Sequence, residues 1–180
     1  GIMANQRSES SAIIQEILNY VDAADCSTSK TQVSAFIRMY LNGLSLEDLT
    51  SYTHADLFGA AIAQWRQIES FQPGSMSLQV YNPTQEHDGW QSTHTIIALV
   101  AEDMPFLIDS MRMELERLGL TIHQMIFQGG LQVVRDDNNV ITAIHSPSEH
   151  CTGCQTLAPI HMEVDRQSGA DVERIYHEIQ

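Results

Sequence analysis

The chain has 180 residues, 43% of them hydrophobic, which is enough to bury a core in one generous domain or in a domain with a helical appendage, so disorder throughout is excluded. Only 9 Lys and Arg stand against 23 Asp and Glu, and a formal charge of -14 repels nucleic acid and anionic membrane, which sets both aside as partners. Three cysteines (Cys26, Cys151, Cys154) are an odd count without the density of a secreted disulfide scaffold, and reduced thiols are expected.

Gly1 and Ile2 precede Met3, which reads as a natural first residue, and no cationic, apolar leader follows. The longest apolar run, Ile96 to Ala101, is far too short to span a bilayer, so a cytoplasmic location is expected. From Ser8 to Ile68 the apolar period is helical. Ile13, Ile14, Ile17, Leu18 and Val21 form one stripe; after a break at Cys26 to Ser29, Val33, Phe36, Ile37, Tyr40 and Leu41 form a second, which stops at Asn42-Gly43. Ser45-x-x-Asp48 opens a short turn of helix, and Thr53-x-x-Asp56 opens a fourth helix through Trp65 and Ile68, both as loose capping boxes. Gly59, Ala60, Ala61 and Ala63 make that helix narrow, as if to admit a neighbouring helix.

Gln72-Pro73-Gly74 closes the helical half, and strands begin. Ser77 to Tyr81 alternates weakly and ends at Asn82-Pro83. A polar loop through Gly89-Trp90 leads to Thr95 to Ala101, which is apolar on both faces and therefore a central strand. Asp103 and Pro105 open a helix that turns Leu107, Met111, Leu115 and Leu118 inward and stops at Gly119. The next strand, Thr121 to Phe127, meets Gly129-Gly130, read as a hairpin turn, and Leu131 to Arg135 pairs with Val140 to Ile144 across Asp136-Asp137-Asn138-Asn139. Residues 145–159 read as a loop. After them Ile160, Met162 and Val164 alternate with His161, Glu163 and Asp165 as a half-buried strand, and Ser168-x-x-Asp171 caps a last helix carrying Val172, Ile175 and Ile179.

From Thr95 onward this is the order of a ferredoxin-like βαββαβ unit without its last strand, so the fold class is α+β with a mainly antiparallel sheet, and the chain reads as cut within the domain. The detail is more specific than the order. Val80-Tyr81-Asn82-Pro83, Gly89-Trp90-Gln91-Ser92, Asp103-Met104-Pro105-Phe106-Leu107-Ile108-Asp109-Ser110 and Leu118-Gly119-Leu120-Thr121-Ile122-His123 occur together, with His161-Met162-Glu163-Val164-Asp165-Arg166 further on. The combination resembles the N-terminal, ACT-like region of the large bacterial NAD-specific glutamate dehydrogenases and covers roughly residues 46–180. The resemblance implies a helical segment at 1–72 and an incomplete ACT-like βαββα domain at 73–180, upstream of the part that converts L-glutamate to 2-oxoglutarate and ammonia with NAD in amino-acid catabolism.

The residues agree that the catalytic machinery lies elsewhere. No Gly-x-Gly-x-x-Gly follows a strand and no Lys sits where it could activate glutamate, so no catalytic or cofactor-binding residue is assigned, and NAD belongs to the full-length enzyme by resemblance. In ACT domains, as the resemblance implies, an amino-acid effector binds near the loop between the first strand and first helix, where an acid precedes a Pro-Gly step. Here that loop is Glu102 to Phe106, and Asp103, Met104 and Phe106, with His123, are the candidate effector-binding residues. Phe106 stands where glycine would let backbone N–H groups approach a carboxylate, and the competing reading has Asp103 capping the helix and Phe106 packing in the core or at an interface.

His150, Cys151 and Cys154 are candidate zinc ligands, with His145 and His161 not far off. A single Cys-x-x-Cys without a second pair at finger-like spacing reads as a solvent-facing loop ahead of a zinc site, and a redox role lacks the helix N-terminus that lowers a thiol pKa. The expectation is a regulatory or assembly module. Its partners are the remainder of its own polypeptide, further copies in a homo-oligomer and an amino-acid effector; the alternative is a small metal- or redox-responsive module.

Overall fold

The computed structural model describes residues 1–23 and 30–180, so the expected break at Cys26 to Ser29 lies outside the described residues. The apolar stripes form helices where the period placed them: α1 (Ile2–Leu18), continued by a 3-10 turn at Asn19–Ala23, α2 (Lys30–Asn42), α3 (Leu46–Thr50) and α4 (His54–Glu69). Ser45 and Thr53 are extended N-caps whose hydroxyls accept from the N–H groups of Asp48 and Asp56 at 3.1 Å each. Each cap satisfies a donor that the first helical turn would leave unpaired, worth about 1 kcal/mol. At the other end of α4 the Arg135 guanidinium donates to the carbonyls of Ile68 (2.6 Å) and Glu69 (3.1 Å), a cation on the helix's negative pole.

Six strands follow: β1 (Ser77–Tyr81), β2 (Thr95–Glu102), β3 (Ile122–Phe127), β4 (Leu131–Arg135), β5 (Ile141–His145) and β6 (Gln155–Val164). Between and after them lie α5 (Gln85–Asp88), a short turn inside the expected polar loop, α6 (Leu107–Arg117) and α7 (Gly169–Ile179). All pairings are antiparallel, in the order β1-β2-β6-β4-β5, with β3 also on β6. The α+β architecture and the β4–β5 hairpin are as expected.

Three expectations are corrected. First, β6 begins at Gln155 rather than Ile160, and Pro159 sits inside this central strand. β3 pairs with β6 from Val164 down to Ile160, and β4 resumes at Leu157, so the two strands follow one another along the same side of β6. The gap falls opposite Pro159, whose carbonyl accepts from Gln128 N–H at 3.1 Å and whose own nitrogen, aimed to the same side, has no hydrogen to give. Second, Gly129-Gly130 is therefore a bend between two strands that run in line along one side of β6 and not a hairpin turn. Gly130, at φ 82, takes a conformation that costs an L side chain energy. Third, the place beside β2 that the last strand of a βαββαβ unit would fill is occupied by β1, which comes from upstream (Ser77 opposite Val100, Tyr81 opposite Ile96).

The sheet is covered on both faces. α6 and α7 pack Met111, Leu115 and Ile175 onto Ile97, Leu99, Ile160, Met162 and Val164. On the opposite face the helical half buries Ile17, Phe36, Ile37, Leu41, Trp65 and Ile68 in one cluster with Val100, Ile126, Leu131, Val133 and Leu157. β2 and β6 are consequently buried on both sides, and β6 is not the half-buried strand its alternation implied. The row of small residues in α4 admits an indole, not a helix. A Cβ on Gly59 would overlap the Cβ and Cγ of Trp90, and Ala60 closes a small cluster with Trp90, Ile96 and Ala98.

Candidate functional site

Inside this apolar sandwich the polar side chains of β6 point toward the helical half. His161 and Glu163 are 2% and 3% exposed. Two residues apart on a strand, they share one face, and His161 Nε2 lies 3.0 Å from Glu163 Oε2. Tyr52, just before α4, donates its hydroxyl to Glu163 Oε1 at 2.9 Å, and His94 Nδ1, just before β2, lies 3.5 Å from the same oxygen. The ring of His94 stacks on that of His123 with centroids 4.7 Å apart, and His123 Nε2 contacts Asp165 Oδ1 at 2.5 Å. Two carboxylates and three imidazoles thus run as a continuous polar chain across the end of the sheet.

The electrostatics follow from these contacts. Burial by itself raises the Glu163 carboxyl, but the hydrogen bond and charge of His161, the Tyr52 hydroxyl and the His94 charge outweigh it, and the group sits below the ordinary carboxylate range. Tyr52 is pushed up, first by burial and then by Glu163, which its hydroxyl must keep serving as a donor. Asp165 is lowered by the hydrogen bond of His123 and the Thr121 N–H. Tyr40, fully buried against His161, is raised by burial and by Glu163.

The chain ends at an open cleft of about 830 Å³ whose walls include Tyr52, Asp56, Gln91, Ser92, His94 and Arg166. Asp56 Oδ1 accepts from Gln91 N–H at 3.1 Å, and Arg166 Nη1 donates to the Ser92 carbonyl at 3.0 Å, so the residues 89–94 loop is held from both sides. Beside it, buried Thr95 donates to Asn82 Oδ1 at 2.5 Å and accepts from Gln167 N–H at 2.8 Å, tying the end of β1 to the segment after β6. This arrangement can hold charge and bind a polar ligand, and it presents an imidazole to solvent.

The sequence-predicted residues lie elsewhere, with one exception. Asp103, Met104 and Phe106 are exposed at the Leu157 end of β6, whereas His123 is at the Val164 end, so the four do not converge. Asp103 does not cap α6. Phe106 is its N-cap, at φ 65 with no side-chain bond, and its ring is 76% exposed rather than in the core. His150 contacts Thr152 Oγ1 (3.2 Å), His145 turns to Glu149 (2.8 Å), and Cys151 and Cys154 are bonded to each other instead of being free thiols. No group of three or more His, Cys, Asp or Glu side chains among the described residues is arranged to hold a metal ion. No helix among them is long and apolar enough to cross a membrane.

Residues 36–179 match the ACT1 domain of glutamate dehydrogenase. Over 145 residues the chain is 41% identical to the NAD-specific glutamate dehydrogenase of Halomonas elongata, covering 80% of this chain and 9% of that protein. Over 94 residues it is 43% identical to the NAD-specific glutamate dehydrogenase of Pseudomonas aeruginosa, covering 52% of this chain and 6% of that one. The chain thus spans less than a tenth of the length of the curated relatives it matches. No solved structure matches it.

Proposed function

We propose, from the premise that this chain belongs to the glutamate dehydrogenase ACT1 domain family, that it is a non-catalytic regulatory or assembly module of a large, cytoplasmic NAD-dependent glutamate dehydrogenase. The whole enzyme would oxidise L-glutamate to 2-oxoglutarate and ammonia with NAD, and this module would act on it conformationally, through the rest of the polypeptide, through further copies and in response to an amino acid. The supporting observation is the bond from Tyr52 to Glu163, which joins the helical half to the central strand through a core common to both. On this reading a change at the surface of one half would be felt in the other through that bond, as a coupling element requires. The division into a segment at 1–72 and a domain at 73–180 is on this reading a division of labour within one core.

Two measurements on the purified chain test it. Sedimentation equilibrium is expected to show association that grows with concentration, and a strict monomer counts against assembly. Incubation with L-glutamate and NAD is expected to yield no NADH, and turnover by the chain alone would overturn the non-catalytic reading.

One observation favours a second reading, a redox-responsive loop: Cys151 and Cys154 are joined. Alkylation before and after reduction, read by mass spectrometry, tests it. Two additional labelled thiols after reduction support it, and full labelling beforehand removes it.

A further inference from the structure

We propose that Cys151 and Cys154 form a reversible dithiol–disulfide switch that sets how firmly Arg135 holds the C-terminal end of α4. This rests on the reading of the loop as redox-responsive and gives that reading a target in the fold.

The first support is where the pair stands. It closes the connection between β5 and β6, and Cys154 directly precedes Gln155, the first residue of β6. Both cysteines are half-buried and Thr152 and Gly153 between them are exposed, so small reductants and oxidants have access to the loop. The other side of the loop is anchored without the sulfurs. Gln132 Nε2 donates to the carbonyls of Ser146 at 2.8 Å and Glu149 at 2.6 Å, and His145 Nδ1 lies 2.8 Å from Glu149 Oε2. The S–S bond therefore ties the start of β6 to a point already fixed on β4.

The second support is what that start carries. Gln155 Oε1 accepts from Arg135 Nε at 3.3 Å, and the same guanidinium donates to the carbonyls of Ile68, Glu69 and Asn139. Gln155 thus helps to aim the fork at the end of α4. Its strand is thinly held at this point. Pairing with β2 stops at Leu157, which leaves Gln155 and Thr156 with β4 on one side and, on the other, the bond from Asp103 N–H to the Thr156 carbonyl at 3.0 Å. A segment with so few restraints opens locally when a covalent tie is removed, and Arg135 loses an acceptor when it does.

The chemistry is closed. A dithiol reductant adds two electrons and two protons to the S–S bond, giving two thiols and the reductant's own disulfide. Peroxide reverses this. One thiol takes a peroxide oxygen to become a sulfenic acid, releasing water, and the second thiol displaces that oxygen as a second water to restore the bond.

The test is amide hydrogen exchange, read by mass spectrometry, on the whole chain carrying Cys26→Ser so that only the pair responds. Samples are compared as oxidised, after dithiothreitol, and after dithiothreitol followed by hydrogen peroxide. Reduction is expected to speed exchange by about tenfold both at residues 155–156 and in the last turn of α4, and peroxide to reverse both changes. Cys151→Ser with Cys154→Ser should match the reduced state and ignore both reagents. Gln155→Leu, which removes the acceptor and keeps the strand, should leave the end of α4 insensitive to reduction; Arg135→Lys, which cannot reach all four acceptors, should do the same. Faster exchange at residues 155–156 with no change at α4 would overturn the link to Arg135 and leave the loop redox-responsive. A response of α4 that persists in both Gln155→Leu and Arg135→Lys would overturn the route. Two thiols that alkylate fully even after peroxide would overturn the switch together with the reading it rests on.

Discussion

Tyr52 and Glu163, 111 residues apart in sequence, share a 2.9 Å hydrogen bond that places a buried negative charge at the seam of the two halves of the chain. A charge in that position persists only because neighbouring donors surround it.

Removing the donor is expected to cost less than removing the charge. Tyr52→Phe should lower unfolding free energy by about 1–2 kcal/mol, and Glu163→Gln, which also strips the buried His161 of its partner, by about 3 kcal/mol. Urea unfolding of both single variants and the double variant measures the coupling. Strictly additive losses would show that the two groups act independently.

The same charge sets an acid limb. Glu163 and Asp165 titrate below their ordinary range when folded, so their contribution is complete above the unfolded carboxylate value of about 4 and is lost as pH falls through the folded values. Melting temperature should therefore fall steeply below about pH 4, and Glu163→Gln should flatten part of that fall. An identical acid limb in the variant would remove Glu163 from the account.

Gly59→Ala offers two opposed effects of known size. Alanine gains roughly 1 kcal/mol of helix propensity, but its methyl would overlap Trp90, an overpacking that costs about 1–3 kcal/mol. Net destabilisation is expected, with a red shift in tryptophan emission as the indole is displaced. An increase in stability would mean that the residues 89–94 loop yields freely.

Phe106→Gly reverses the usual sign of a truncation. The exposed ring contributes little packing, and its backbone at φ 65 costs an L residue roughly 1–2 kcal/mol, against about 0.5–1 kcal/mol of added unfolded-state entropy for glycine. Stability of the monomer should rise by up to about 1 kcal/mol in denaturant titration. A fall that deepens with protein concentration would place the ring in a contact between copies.

The parts of this fold that were legible in sequence are those decided locally. The caps at Ser45, Thr53 and Ser168 form as the residue types require, and the run from Thr95 to Ala101 is an interior strand, as its double-sided apolarity demanded. Pro159 hid the first half of β6, because a proline argues against a central strand unless its missing hydrogen bond falls at an interruption, and that interruption lies in a different strand. His161 and Glu163 read as a solvent face because alternation reports polarity and not what lies above it. The signal that could have corrected this was the set of apolar stripes in residues 13–68, which needed a partner surface. The stack of His94 on His123 had no local signature, since it exists only because β2 and β3 both border β6. The cleft at Asp56 and Arg166 was missed for the same reason.

The upstream origin of β1 also bears on how the sheet is put together. In a βαββαβ unit the edge strand beside the first strand arrives last, after both crossover helices. Here β1 is followed by its partner β2 after a connection of 13 residues, 82–94, so this pairing is short-range and its loop-closure cost is low. During synthesis the β1–β2 ribbon and the helices ahead of it can associate before β6 leaves the ribosome. The central strand, with its buried Glu163, then enters a slot that is already half built.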